Sequence, residues 1–136
     1  MSGYKPGVLV VDDDPDVLAA MAHMLQARGF RVLAAGEGDT AVALCQEHGD
    51  IDVLVADLSL PGDLNGNLAR RVTAAHPHIK VIFATGVPRN IALAMGLVQP
   101  QAPYLEKPVN ADVLESAIRM VLTAPRAPAR GTSDGR

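Results

Sequence analysis

A chain of 136 residues, 49% of them apolar and 20% charged, can bury a sizeable core and is not a disordered segment. Its net charge of -3, without any dense Lys/Arg block, argues against nucleic-acid binding, and its apolar runs are far shorter than a membrane span. Residues 1–7 (MSGYKPG) lack the apolar segment of a signal peptide, and the single Cys45 excludes an internal disulfide, so a cytoplasmic setting is expected.

Val8 to Val11 form an apolar run that ends at Asp12, Asp13 and Asp14. A short run of this kind, followed by helical spacing, predicts a parallel strand buried on both faces. Asp14 can cap the helix that Pro15 begins; Val17, Leu18, Met21, Met24 and Leu25 share one face of it as far as Gly29. Residues 31–35 predict the second strand. A second helix opens at Asp39 or Thr40, turns Val42, Leu44 and Cys45 inward and stops at Gly49. The third strand is expected over 51–56, ending at Asp57, and a loop over 58–66 leads to a helix that closes at Ala75-His76-Pro77. A fourth strand over 79–84 ends at Thr85, and a helix over 90–98 follows. A Pro-rich connection (Pro100, Pro103) reaches a short fifth strand around Tyr104 and Leu105, ahead of Lys107 and Pro108. The fifth helix runs from a cap at Asn110 to about residue 123 and is expected to bury Val113, Leu114, Ala117, Ile118, Val121 and Leu122.

Five βα units in a row predict an α/β, doubly wound (βα)5 fold. Its five-stranded parallel sheet has the order 2-1-3-4-5, with helices on both faces. The expected division is a lead over 1–6, one domain over 7–123 and a flexible tail over 124–136, which holds no Val, Ile, Leu or aromatic residue.

In such a sheet the carboxyl ends of the strands lie along one edge, where ligands bind. Asp12, Asp13 and Asp57 would meet there, and neighbouring carboxylates ionise together only around positive charge. Mg²⁺ meets that need, with hard oxygen ligands and a shell that keeps several waters; Mn²⁺ is expected to substitute. A carboxylate such as Asp57 can attack phosphorus to form an acyl phosphate, and Ser59 could offer its backbone carbonyl to the metal. The Thr85 hydroxyl can donate to a phosphoryl oxygen, and the Lys107 ammonium can pair with the same group. Each residue alone has a plainer reading: a cap for Asp14, a β-branched strand residue for Thr85, a solvated charge for Lys107. Their convergence on one edge favours the chemical one. Cys45 reads as core filling, Met21, Met24 and Met95 as packing, and the four histidines (23, 48, 76, 78) as surface residues without ligand spacing.

The segments V-L-V-V-D-D-D-P, V-L-V-A-D-L-S-L-P-G, V-I-F-A-T-G and Y-L-E-K-P, each at its own strand end, resemble the receiver domain of two-component response regulators, the CheY-like receivers. The resemblance covers about residues 7–123. It implies that Asp57 is the phosphoacceptor, Asp12 and Asp13 the metal carboxylates, Thr85 the switch hydroxyl, Tyr104 the switch aromatic and Lys107 the phosphate-pairing lysine. The Lys107-Pro108 bond is expected to be cis, uncommon even before proline. The implied partners are a sensor histidine kinase or a histidine phosphotransfer protein, and a downstream protein at helix four, strand five and helix five, a face open to self-association. The chain would then be a phosphoacceptor that promotes its own phosphotransfer and dephosphorylation, not a conventional enzyme. With only the tail after helix five, it reads as a single-domain regulator, a phosphorelay intermediate or a piece of a hybrid kinase, with no output domain.

Three positions depart from the common pattern. The loop Pro61-Gly62-Asp63-Leu64-Asn65-Gly66 is one residue longer than usual, Val87 stands where many members carry a polar residue, and Val109 where Phe is common. They bear on which kinase and target are engaged and on phosphate lifetime. A pseudo-receiver would lack Asp57, Asp13 or Lys107, and all are present. A haloacid-dehalogenase-type phosphatase needs a second Asp where Ser59 stands. A Rossmann domain needs glycines where Asp12-Asp13-Asp14-Pro15 stands.

Overall fold

The structure, a computed structural model, describes residues 5–63 and 66–123. The tail expected over 124–136 and positions 1–4 of the lead lie outside the described residues, as do Leu64 and Asn65 of the long loop. Elements alternate as the periodicity requires: β1 (Gly7–Val11), α1 (Pro15–Ala27), β2 (Arg31–Ala35), α2 (Gly38–Glu47), β3 (Val53–Ala56), α3 (Asn67–Ala75), β4 (Lys80–Thr85), α4 (Arg89–Ala94), β5 (Tyr104–Glu106) and α5 (Ala111–Thr123). All five strands run parallel in the order β2-β1-β3-β4-β5.

Alternation along the strands divides the core in two. Leu9, Val11, Leu54 and Ala56 face α2 and α3, where Ala41, Cys45, Leu68 and Val72 cover them. Val8, Val10, Val53, Val55, Ile82 and Ala84 face the other way, onto Met21 and Leu25 of α1 and Leu114 and Ile118 of α5. Every residue of β1 and β3 is buried, which is why these runs carry no polar alternation. A third cluster, of Leu58, Ala69, Phe83 and Ala92, packs α4 against the β4 side with Tyr104 at its rim.

Local chemistry sets the helix ends. Asp14 Oδ1 accepts from the N–H groups of Asp16 (2.9 Å) and Val17 (3.3 Å), and Pro15 opens α1. Gly29, at φ 93°, closes α1 with a pair of reversed bonds, Phe30 N–H to Leu25 O and Gly29 N–H to Gln26 O. Asn110 Oδ1 accepts from Val113 N–H at 2.8 Å at the start of α5.

Five sequence expectations need correction. Met95, read as packing, is 64% exposed, because it follows the last turn of helix four. Helix four stops at Ala94, not at 98, because Gly96 (φ 72°) takes the left-handed position and Leu97 N–H turns back onto Ala92 O. Helix two starts at Gly38, with Glu37 at the cap position and no side-chain cap. Strand three starts at Val53, although Asp52 N–H already bonds to Gly7 O. Val113 is 45% exposed: it lies one position outside the seam of Leu114 and Ile118.

The amino ends of the strands are clamped. Arg31 donates to Lys5 O, Asp50 Oδ2 and Asp50 O, while Gly7 N–H donates to Asp52 Oδ2 at 2.9 Å. A Cβ on Gly7 would lie 2.4 Å from Asp50 O, and Arg31 keeps that carbonyl from retreating. Gly7→Ala should therefore cost about 1–3 kcal/mol in urea unfolding, as overpacking does. Gly49→Ala, with open space around its Cβ, should stay within about 0.5 kcal/mol. Equal losses in the two variants would show that the clamp yields.

Candidate functional site

The sheet aims the site residues before any side chain interacts. Asp12 N–H bonds to Ala35 O, Asp57 N–H to Val11 O and Lys107 N–H to Thr85 O. Each residue is thus still held by a neighbouring strand as its side chain leaves the carboxyl edge. Val11 pairs with Ala56 in register, so Asp12 and Asp57 emerge side by side.

Both aspartates are almost completely buried, and Thr85 is fully buried. Their oxygens are used in the same way. Asp12 Oδ1 accepts from Asp14 N–H (2.9 Å), and Asp57 Oδ1 accepts from Ser59 N–H (2.9 Å), each two residues on. The remaining oxygens share one cation: Lys107 Nζ lies 2.5 Å from Asp12 Oδ2 and 2.7 Å from Asp57 Oδ2. Beside the lysine, α1 and the turn after β5 enclose an apolar groove of about 370 Å³ lined by Val17, Ala20, Met21, Met24 and Val109. The methylene stem of Lys107 forms part of its wall while the ammonium reaches inward. The Lys107-Pro108 bond is cis.

Asp13 is exposed at the mouth, and one oxygen from each of Asp12, Asp13 and Asp57 lies within 4.8 Å of the others. Three hard donors, one of them open to water, suit a divalent cation that keeps part of its hydration shell. Asp14 is not among them; its carboxylate is spent on capping α1. Ser59 is exposed two residues from Asp57, with its N–H turned to that carboxylate.

Burial alone would raise the Asp57 carboxyl, but the Lys107 ammonium, the Thr85 hydroxyl and the Ser59 N–H outweigh it and hold the group below the ordinary carboxylate range. Burial would likewise lower Lys107, yet Asp12 and Asp57 raise it above the usual lysine value. The carboxylate is therefore an anion, and the lysine a cation, throughout the physiological range.

The sequence profile of the response regulator receiver domain matches residues 8–119. The chain belongs to this family. Protein PilH of Pseudomonas aeruginosa is 36% identical over 118 residues, covering 85% of this chain and 96% of PilH. A response regulator receiver domain structure from Clostridium thermocellum superposes with a TM-score of 0.74 at 30% identity, over 86% of this chain and 94% of that one. The transcriptional regulatory protein AfsQ1 of Streptomyces coelicolor is 31% identical over 86% of this chain, which spans 51% of AfsQ1. The family's general features are an aspartyl phosphate and Mg²⁺ at an acidic pocket. Among the described residues, no helix is long and apolar enough to cross a membrane.

Two residues escaped the sequence reading. Asp63 is buried and accepts from Leu68 N–H at 3.1 Å, pinning the Leu60-Pro61-Gly62-Asp63 turn to α3. Glu106, expected only as a lead-in to Lys107, reaches across to Arg89 N–H at 2.8 Å. Neither lies in a periodic pattern that could have marked it.

A pH dependence follows. Because the folded-state pKa of Asp57 is depressed, its stabilisation is present above the unfolded value near 4 and is lost as pH falls through the folded one. Lys107, raised, contributes below its unfolded value near 10.4 and loses that contribution as pH rises through the folded one. With chelator present, Lys107→Met should cost about 1–3 kcal/mol at pH 7, and progressively less as pH falls below the unfolded carboxylate value near 4. Denaturation curves from pH 2.5 to 8 test this; a gap between parent and variant that does not narrow in acid would refute the pairing.

Proposed function

We propose that this receiver is a phosphorylation-dependent switch in which Asp57 accepts a phosphoryl group from a phosphohistidine on a sensor histidine kinase or phosphotransfer protein. The observation that carries this is the Asp57 carboxylate itself: buried, ionised and facing both a cation and an oxygen-donor cluster. In the transfer, a carboxylate oxygen forms the new P–O bond while the P–N bond to the donor imidazole breaks, and the imidazole leaves with the electron pair of that bond. Lys107 is placed to pair with a phosphoryl oxygen, and the buried Thr85 hydroxyl can donate to another. Asp12, Asp13 and Asp57, with the Ser59 backbone carbonyl, would hold Mg²⁺, or Mn²⁺ in its place. That ion would neutralise the charge between nucleophile and phosphoryl oxygens. Loss of the phosphate by hydrolysis, promoted by the same residues, resets the switch.

Readout is assigned to α4, β5 and α5. Ile91 on α4, Met95 directly after it, and Val113 and Met120 on α5 are the large apolar side chains left exposed among the described residues. Exposed apolar side chains of this kind suit contact with a downstream protein or a second copy of the chain. Tyr104 stands at their edge, turned onto the β4–α4 connection, its hydroxyl donating to Val87 O and its ring 6.4 Å from that of Phe83. We assign the switch to Thr85 and Tyr104: movement of the Thr85 hydroxyl toward a phosphoryl group would be felt at Val87, to which both side chains bond.

Incubation with Mg²⁺ and a small phosphodonor should add one phosphoryl group, seen by intact mass and released by hydroxylamine. Asp57→Asn should abolish it and Asp14→Asn should leave most of it. Labelling of the Asp57 variant at the parent rate would overturn the assignment.

Mg²⁺ should also raise the melting temperature by mass action. A ligand at 100 times its dissociation constant contributes about 2.7 kcal/mol, so the rise should grow with each tenfold of metal. Asp13→Asn should flatten that titration. An unchanged titration in the variant would remove Asp13 from the metal set.

A further inference from the structure

Beyond Thr85 the backbone ladder between β4 and β5 ends, with Thr85 opposite Glu106 and Lys107 N–H on Thr85 O. Side chains continue it. Tyr104 and Glu106 alternate with Leu105, so they stand on the same side of β5, toward α4, while Leu105 joins the core beneath α1 and α5. Their partners are also two residues apart. The Tyr104 hydroxyl donates to Val87 O at 2.5 Å, and Glu106 Oε2 accepts from Arg89 N–H at 2.8 Å, at the first residue of α4. Arg89 is gripped a second time, because its guanidinium donates to Pro100 O in the connection that leads into β5. Nearer the site, Val87 N–H donates to Thr85 Oγ1 at 3.3 Å. One set of bonds therefore runs from the buried hydroxyl beside Asp57, through Val87, to the first residue of α4 and on to the connection at Pro100.

We propose that Glu106 is a positioning residue: with Arg89 and Tyr104 it forms a clasp that makes α4 move with the β5 edge, so that a shift at Thr85 is delivered to α4 as a rigid displacement. The inference rests on the phosphoacceptor reading only for the origin of that shift; the clasp itself rests on the bonds. It explains a division of labour that packing leaves open. Helix α4 has six residues and buries Ala92 alone, too little to hold its own orientation. Glu106 is exposed and takes no part in the core, and a solvated glutamate at that point would need no partner. Instead it closes the N-terminal amide of α4 at Arg89.

The test uses the full chain labelled with 3-fluorotyrosine, whose two tyrosines (Tyr4 and Tyr104) give separable ¹⁹F signals. Without ligand, Glu106→Ala should speed hydrogen exchange of the Arg89 amide by about three- to tenfold, the worth of one exposed hydrogen bond, and move the Tyr104 signal toward the solvent-exposed value. Glu106→Gln, whose amide oxygen still accepts, should stay near the parent. With beryllofluoride and Mg²⁺, the parent should show amide shifts at Thr85, Lys107 and residues 89–94 together. In Glu106→Ala the Thr85 and Lys107 shifts should persist while those over 89–94 shrink by about threefold or more. Parent-like exchange at Arg89, or a full response of α4 in the Ala variant, would overturn the clasp. If Thr85 and Lys107 of the parent ignore beryllofluoride, the phosphoacceptor reading fails instead, and the exchange experiment alone decides the clasp.

Discussion

Three carboxylates gathered at the ends of two adjacent parallel strands repel one another, and most of this domain is arranged around that cost. At an effective dielectric near 20, a pair of like charges 4 Å apart costs about 4 kcal/mol. Lys107 offsets part of it by bridging Asp12 and Asp57, and two backbone N–H groups satisfy the outer oxygens. One ammonium against three carboxylates still leaves the site anionic, with Asp13 screened by water at the mouth. A divalent cation is therefore the natural complement of this edge. The residual charge is tolerated because burying one Val or Leu side chain is worth roughly 1.5–3 kcal/mol, and β1 and β3 contribute nothing but buried residues.

Rigidity falls off across the sheet in a way that matches the roles of its parts. At β1 and β3 both faces are packed, so the carboxylates are held by residues that cannot shift independently. β5 has only three residues at the sheet edge, and α4 has six beneath a small cluster. Here hydrogen bonds from side chains, individually worth about 1 kcal/mol, replace the ladder. Elements that must change arrangement are drawn from the less stable end of a structure. A chemical event at Asp57 meets a fixed frame on one side and a lightly tethered one on the other.

Much of this was legible in the sequence because the signals were periodic. Parallel strands buried on both faces read as unbroken apolar runs, and a polar residue that ends such a run is placed at the carboxyl edge by the fold itself. Asp12, Asp57, Thr85 and Lys107 come together for that reason alone. What was missed lies where tertiary bonds override local pattern. Gly96 was read through as helix, though its left-handed backbone ends α4. Val113 was assigned inward from its apolarity, though the buried seam passes through Leu114 and Ile118. Asp63 sits in an aperiodic loop and Glu106 on a strand of three residues, too short to show a pattern, and their partners, Leu68 and Arg89, can be named only once the chain is folded.

The run Asp12-Asp13-Asp14 shows how far residue type underdetermines role. Asp12 is buried against a lysine, Asp13 stands in water at the metal-competent mouth, and Asp14 caps a helix. The difference is backbone direction at the point where a strand becomes a helix. The same consideration bears on Asp57 as a nucleophile. Its Oδ1 accepts from the Ser59 N–H and its Oδ2 from Lys107, and each oxygen keeps a further lone pair for attack. On the phosphoacceptor reading, the incoming phosphoryl oxygens offer Lys107 a partner beside Oδ2, and its ammonium can pair with them as the phosphoryl group arrives. The lysine then keeps a counter-charge throughout the transfer. This makes an ammonium on a flexible stem better suited to the position than a planar guanidinium committed to two oxygens at once.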